Sequence, residues 1–281
     1  MKIVRKIKRM QNLVKDLKQK GKTIGFVPTM GYLHNGHLSL ARQARKDNDF
    51  VVLSIFVNPL QFGPKEDFKR YPRDFKRDMR LAKEVGVDII FIPQDKEMYP
   101  QDYVTYVEVE RLTKKLCGRF RPGHFKGVTT VVMKLFNIVN PDVAYFGQKD
   151  AQQARIIEKM VEDLNMNIKI KILPIVREKD GLAMSSRNVY LSPQERERAV
   201  CLYEALKKAE EMVSQGIRNA EKIRREIKKV LAKKKVYRID YIEVVDAKTL
   251  TPLNKLEGKI LIALAVWIGR TRLIDNTILT L

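Results

Sequence analysis

Short apolar runs alternating with amphipathic segments through residues 1–176 predict an α/β domain, a parallel sheet with helices on both faces. After that the texture changes. A long charged helical stretch opens at Ser192–Pro193, and three strand-like runs close the chain. These predict a smaller α+β domain over 177–281. At 281 residues and 44% hydrophobic, the chain is long enough for both cores and too apolar for disorder by composition.

Each element has its own signal. Ile3, Ile7, Met10, Val14 and Leu17 recur at helical spacing between Lys and Arg, an amphipathic opening helix that Gly21 ends. Thr23–Pro28 reads as a buried strand, followed by a Gly-containing turn and a helix through Leu38, Ala41 and Ala44. Phe50–Val57 is the next strand. A polar stretch with prolines, Asn58–Arg73, precedes another helix, and Val87–Ile92 is the third strand. Val143–Phe146 and Ile168–Val176 follow, with a helix over Asp150–Leu164 between them. In the second domain the helical region reaches Lys235. Strands are expected over Arg238–Val245, Lys259–Ile268 and Thr271–Leu279.

Fifty-five Lys and Arg against 33 Asp and Glu give a net charge of +22, which favours anionic partners. The surplus is spread over several segments, as solvated helix faces would be. No basic stripe interleaved with aromatics marks a nucleic-acid surface. Cys117 and Cys201 are far apart and form no CxxC pair, so neither a disulfide framework nor a cysteine zinc site is expected. No apolar run is long enough to span a bilayer and no apolar signal core follows the basic start, so a cytoplasmic protein with no membrane partner is expected.

In a parallel sheet, ligands sit at the carboxyl ends of the strands. The first such end runs into Met30-Gly31-Tyr32-Leu33-His34-Asn35-Gly36-His37, an HxGH turn that opens a helix. A helix N-terminus offers free N–H groups and positive dipole to phosphate, and Gly36 permits close backbone approach. His34 and His37 can donate to oxygens on which charge builds. An HxxH pair can also ligate zinc, but no third ligand stands near, and no resident metal is expected. After the Ile168–Val176 strand come Met184, Ser185, Ser186 and Arg187. This segment resembles the KMSKS-type loop that partners HxGH in nucleotidyl-transferring enzymes, with Arg187 as a forked cation. Together the two motifs imply cleavage of ATP between its α- and β-phosphates.

Two weaker signals lie at other strand ends. Gly147-Gln148-Lys149-Asp150 leads into a helix that carries Gln153. Lys149 can neutralise a phosphate, and a plain turn with Asp150 as helix cap remains an equal reading. Asn58-Pro59-Leu60-Gln61 is a turn by its Asn-Pro, while Gln61 offers the donor and acceptor that a hydroxy acid needs.

Jointly, PTMGYLHNGH, SIFVNPLQF, RYPRD at Arg70–Asp74, RPGHF at Arg121–Phe125, YFGQKD with Gln153, and MSSRN resemble the pantoate–β-alanine ligase family, in its order, over Thr23 to Asn188. The C-terminal third matches in length and texture. The resemblance implies a Rossmann-like nucleotidylyltransferase domain, a C-terminal domain that folds over it, a homodimer, and Mg2+ brought with ATP. It implies ATP contacts from the Pro28–His37 segment, Gly147–Asp150, Val176 and Met184–Arg187. Pantoate would be held by Gln61 and Gln153 with Asn58 close by, and Gln61 would also meet β-alanine. His37 would be the proton donor, with His34, Lys149 and Arg187 as its catalytic companions. Residues 61–73 would form a flexible cover, with Arg121 and His124 near the reacting groups. The implied chemistry is attack of pantoate on the α-phosphate, loss of pyrophosphate, then attack of β-alanine on the acyl-adenylate with release of AMP. Two rivals stay open at this point: a simple nucleotidylyltransferase, and a tRNA synthetase-like nucleic-acid binder.

Overall fold

The computed structural model describes residues 1–64 and 66–281. In order the elements are β1 (Lys2–Val4), α1 (Ile7–Gln19), β2 (Ile24–Thr29), α2 (Asn35–Asp47), β3 (Phe50–Ile55), α3 (Phe75–Glu84), β4 (Ile89–Phe91) and α4 (Asp95–Met98). Next come α5 (Cys117–Phe120), α6 (His124–Val139), β5 (Val143–Gly147), α7 (Ala151–Asp163) and β6 (Lys169–Leu173). The chain ends with α8 (Pro193–Ala199), α9 (Cys201–Ser214), α10 (Ala220–Lys233), β7 (Ile239–Asp246), β8 (Lys259–Ile268) and β9 (Thr271–Thr280).

The chain divides into two compact units. The first comprises Met1–Thr113, Arg121–Gln148 and Gln153–Pro174; the second comprises Lys114–Phe120, Lys149–Gln152 and Ile175–Leu281. The long segment of the second unit starts at Ile175. Two short segments expected in the first domain pack instead with the second, and Gln152 ties them together there. Its side chain accepts from the Cys117 N–H (2.9 Å) and donates to the Lys115 carbonyl (2.7 Å).

The first unit carries the expected all-parallel sheet, in the order β1-β4-β3-β2-β5-β6. Its central strand β2 is buried because its side chains are apolar on both faces. α2 covers one face through Leu38, Ala41 and Ala44, which join Val27, Leu53 and Ile90 in one cluster. Phe26 packs edge-on against Phe136 of α6, centroids 6.4 Å apart. The opening segment departs from the expectation: the helix begins at Ile7, and Ile3 lies in β1, paired with Ile90 at the sheet edge. A run of three residues gives no period by which to tell strand from helix, and here the unpaired edge of β4 decides. The largely apolar helix α6 was not anticipated, although Lys126, Lys134 and Asn137 mark its one less buried face. Twelve of its 16 residues are buried.

The second unit is an antiparallel sheet, β7-β8-β9, with α8, α9 and α10 contributing to its core. Leu202, Leu206, Ile223, Ile227 and Leu231 bury against Ile260, Ile262 and Leu264. Ser192 starts α8 with a capping box, its hydroxyl accepting from Glu195 N while the Glu195 carboxylate accepts from Ser192 N. The long charged stretch is therefore three helices. Among the described residues no helix is long and apolar enough to cross a membrane.

Candidate active site

Strand order in the first sheet reverses between β2 and β5, since β3, β4 and β1 run outward on one side and β6 on the other. Carboxyl ends at such a reversal leave a crevice for ligands. β2 ends at Thr29 and leads into the HxGH turn. β5 ends at Gly147 and leads into a 3-10 turn over Gln148–Asp150.

The turn is built by its own residues. His34 is the N-cap of α2, and its Nδ1 accepts from Gly36 N at 3.1 Å. His37, three residues on, accepts at Nδ1 from His34 N at 3.4 Å. This is a capping box with two imidazoles in place of hydroxyl and carboxylate. A ring nitrogen that accepts an N–H carries no proton, so each neutral ring holds its proton on Nε2. The rings lie 4.1 Å apart, centroid to centroid. Upstream, Tyr32 has φ 51°, a strained value for a bulky residue. Asp78 of α3 holds it there. Its carboxylate accepts from Tyr32 N (2.8 Å) and Leu33 N (2.7 Å). Burial pushes the Asp78 carboxyl above its ordinary range, against the pull of those two N–H groups. The Leu33 side chain lies wholly in the core and its N–H is taken by Asp78. Asn35 is exposed, and Met30, Gly36 and both histidines are half-buried.

Gln61 sits in a 3-10 turn, Pro59–Gln61, packed on α6. That approach requires glycine at 127, where a Cβ would come 2.3 Å from the Leu60 carbonyl oxygen and 2.7 Å from Gln61 N. Asn58 is 1% exposed and fully engaged: it donates to Gln61 Oε1 (3.1 Å) and the Gly127 carbonyl (3.0 Å), and accepts from the Tyr99 hydroxyl (2.7 Å). It orients Gln61, whose Nε2 reaches Met30 Sδ at 3.2 Å. The Gln61 carbonyl is gripped too. His124 Nδ1 donates to it at 2.8 Å, and Arg121 Nη2 at 3.3 Å. Arg121 Nη1 donates to His124 Nε2 (2.9 Å), and its other edge makes a two-pronged pair with Glu66 (2.7 and 2.6 Å). Arg121 and His124 thus position Gln61. Gln153 stands half-buried on α7. Of the expected cover, Phe62, Phe68 and Tyr71 pack as an aromatic cluster, and Lys65 lies outside the described residues.

The remaining expected residues lie in the second unit. Lys149 is mostly buried and faces Asp150 at 4.0 Å. Met184 N donates to the Val176 carbonyl at 3.0 Å, closing the loop on itself. Ser185 caps the 3-10 turn Ser186–Tyr190 by accepting from Arg187 N at 3.2 Å. Ser186 is buried and Arg187 half-buried. The structure thus groups Met30, His34, His37, Asn58 and Gln61 in one unit, and Lys149, Asp150, Val176 and Met184–Arg187 in the other.

Sequence reasoning missed Asp78, Tyr99, Glu66, Arg177, Asp275 and Asn276. Asp78 had a signal: it is an acid on the same helical stripe as Ala82 and Val85. Among the described residues no cluster of three or more His, Cys, Asp or Glu could hold a metal ion.

The family model for pantoate-beta-alanine ligase matches residues 2–278. The pantothenate synthetase of Thermotoga petrophila is 60% identical over 99% of this chain and 100% of its own length. That of Caldicellulosiruptor saccharolyticus is 58% identical, covering 99% of both. The crystal structure of pantothenate synthetase from Thermus thermophilus superposes with a TM-score of 0.94 at 46% identity, covering 99% of each chain. A pantoate-beta-alanine ligase from Francisella tularensis, complexed with beta-gamma ATP and beta-alanine, gives 0.82 at 37%, covering 99% of this chain and 97% of that one. With a family model spanning nearly its whole length and relatives this similar end to end, the chain belongs to the pantoate–β-alanine ligase family.

Proposed function

We propose that this chain condenses pantoate with β-alanine at the expense of ATP, by the two-step route of an acyl-adenylate. A pantoate carboxylate oxygen attacks the α-phosphorus and the bond to the β-phosphate oxygen breaks, so pyrophosphate leaves. The β-alanine amine then attacks the acyl carbon, the bond to the AMP oxygen breaks, and the amine releases its proton. The observation that supports this best is the HxGH turn. Two imidazoles open a helix at the strand-order reversal, each tied through Nδ1 so that its Nε2–H is the donor. Such donors stabilise charge that develops on phosphate oxygens.

In this reading the residues 30–37, 147–150, 176 and 184–187 bind ATP, with His37 the proton donor. His34, Lys149 and Arg187 stabilise charge. Gln61 and Gln153 hold pantoate, and Gln61 also meets β-alanine. Mg2+ enters on the ATP phosphates, as part of the substrate. In the same reading the enzyme works as a homodimer in the cytoplasm, without a nucleic-acid or membrane partner. No protein nucleophile is needed, and rate comes from positioning and charge stabilisation.

The test is pyrophosphate and AMP release from Mg2+ and ATP, with pantoate and β-alanine added singly and together. Pyrophosphate in a single turnover with pantoate alone, and AMP release only with both, are expected. Turnover with neither, or equally with phosphate esters, would replace this reading by another adenylyl transfer.

A further inference from the structure

Two neighbouring polar residues of β9, Asp275 and Asn276, are buried (2% and 4% exposed) in a strand that also carries Leu273, Ile274, Ile278 and Leu279. Both reach toward segments that carry expected ATP contacts. The Asn276 side chain donates from Nδ2 to the backbone carbonyl of Lys149 at 2.9 Å. Asp275 accepts both arms of Arg177, at 2.6 and 3.0 Å, and its Oδ1 also accepts from Asn276 N at 2.8 Å. Arg177 follows Val176 directly and closes the base of the loop: it bridges to Ala183 as an antiparallel pair and donates to the Gly181 carbonyl at 3.1 Å. Its guanidinium lies over the Tyr203 ring, 4.6 Å from the centroid. Gly181, at φ 96°, admits that ring where a Cβ would come within 2.0 Å of it. One dipeptide therefore holds both the Lys149 turn and the root of the 176–187 loop, all within the second unit.

A buried amide at this point has a cost unless its hydrogen bonds are made. An apolar pair would fill the strand as well, yet would leave the Lys149 carbonyl and the Arg177 guanidinium without these partners. We propose that Asn276, locked by Asp275, is a positioning residue for Lys149, and that the Asp275–Arg177 pair sets the 176–187 loop in register with it. Neither residue touches ATP. They fix the two segments as one preformed phosphate-binding half-site, so that little reorganisation remains when the triphosphate arrives. The inference rests on the reading of Lys149 as an ATP-binding residue.

The experiment is a double-mutant cycle on the full chain with Asn276→Leu, which keeps the branched layout and removes the donor, and Lys149→Ala. Asn276→Ala serves as second variant should the leucine not fold. Two readouts are taken: ATP affinity by calorimetry, and the single-turnover rate of pyrophosphate release with pantoate. Losing one hydrogen bond that holds a part-buried carbonyl should cost about tenfold in ATP affinity in the Lys149 background. In the Lys149→Ala background the same substitution should cost less than about twofold. Equal losses in both backgrounds would make Asn276 a merely structural residue and overturn the proposal, as would no loss in the first. An unaffected Lys149→Ala would overturn it together with the role of Lys149. Failure of pantoate to drive pyrophosphate release in the unmutated chain would count against the ligase reading alone, because the ATP-affinity cycle still decides the role of Asn276.

Discussion

Asp78→Ala tests how far the histidine turn depends on a carboxylate outside it. Asp78 is 1% exposed and is the acceptor for both Tyr32 N and Leu33 N. Alanine removes the acceptor of one buried N–H, at Leu33, and one part-buried N–H, at Tyr32, each at a cost of about 1–3 kcal/mol. Part of that is offset, because burial makes the ionised carboxylate costly in the folded state. A net loss of about 3 kcal/mol follows, or about 5–10 °C in melting midpoint. Turnover should fall by more than about tenfold, because the Tyr32 backbone relaxes from its left-handed conformation just before His34. Asp78→Asn removes the charge and keeps one acceptor, so it should be the milder change. The sign of its pH dependence follows from the raised carboxyl. A group whose folded pKa lies above its unfolded value contributes stability below about pH 4, and that contribution is lost as pH rises through the folded value. The margin of the unmutated chain over Asp78→Asn should therefore shrink with rising pH. Melting curves read by circular dichroism, with the coupled pyrophosphate assay, check both effects. An Asp78→Ala chain with unmutated melting and turnover would refute the reasoning.

Three other substitutions probe separate links. His37→Ala should keep its circular dichroism spectrum and lose about a hundredfold in turnover, the effect of removing one transition-state donor; an unchanged kcat in the folded variant removes that role. Gly127→Ala puts a methyl 2.3 Å from the Leu60 carbonyl, so α6 and the Gln61 turn must part. This costs about 1–3 kcal/mol of stability, with KM for pantoate rising more than kcat falls; an unchanged KM would dissociate Gln61 from pantoate. Asp47 is held below the usual carboxylate range, chiefly by its hydrogen bond from Lys171. Its contribution is present above about pH 4 and lost as pH falls through the lowered folded value. Asp47→Asn should accordingly flatten the acid limb of stability against pH, read from urea midpoints at about pH 3 and about pH 6 on either side of that range, and a parallel curve would count against it.

The parallel sheet was legible because β2, β3 and β4 are short apolar runs ended by turn residues, and the HxGH turn because strand, glycine and histidines occur in one stretch. What was not legible depends on partners distant in sequence. Asp78 meets the turn across 45 residues, and Asn276 meets Lys149 across 127. Neither spacing leaves a local pattern. α6 was hidden for a different reason: of its 16 residues only Lys126, Met133, Lys134 and Asn137 are not buried, so its polar stripe is narrow. The expected roles of Arg121 and His124 beside reacting groups could not be distinguished in sequence from a grip on the Gln61 carbonyl, which only the fold shows.

The three histidines are set by backbone groups into opposite tautomers, and that divides their work. His34 and His37 accept at Nδ1 and carry the proton on Nε2. His124 donates from Nδ1 to the Gln61 carbonyl and accepts at Nε2 from Arg121, which can only donate. A proton added to His124 Nε2 would face the Arg121 guanidinium and break that contact, which suits a strut, whereas the role proposed for the turn histidines is that of donors. The asparagine amide reproduces the Nδ1–H donor of His124 but has no ring to protonate. His124→Asn should thus keep most of kcat, raise KM for pantoate by less than about tenfold as one neutral hydrogen bond is weakened, and leave the acid limb of the pH–rate profile in place. If the acid limb moved in His124→Asn and stayed in His37→Asn, His124 would be the titrating group and this division of labour would be wrong.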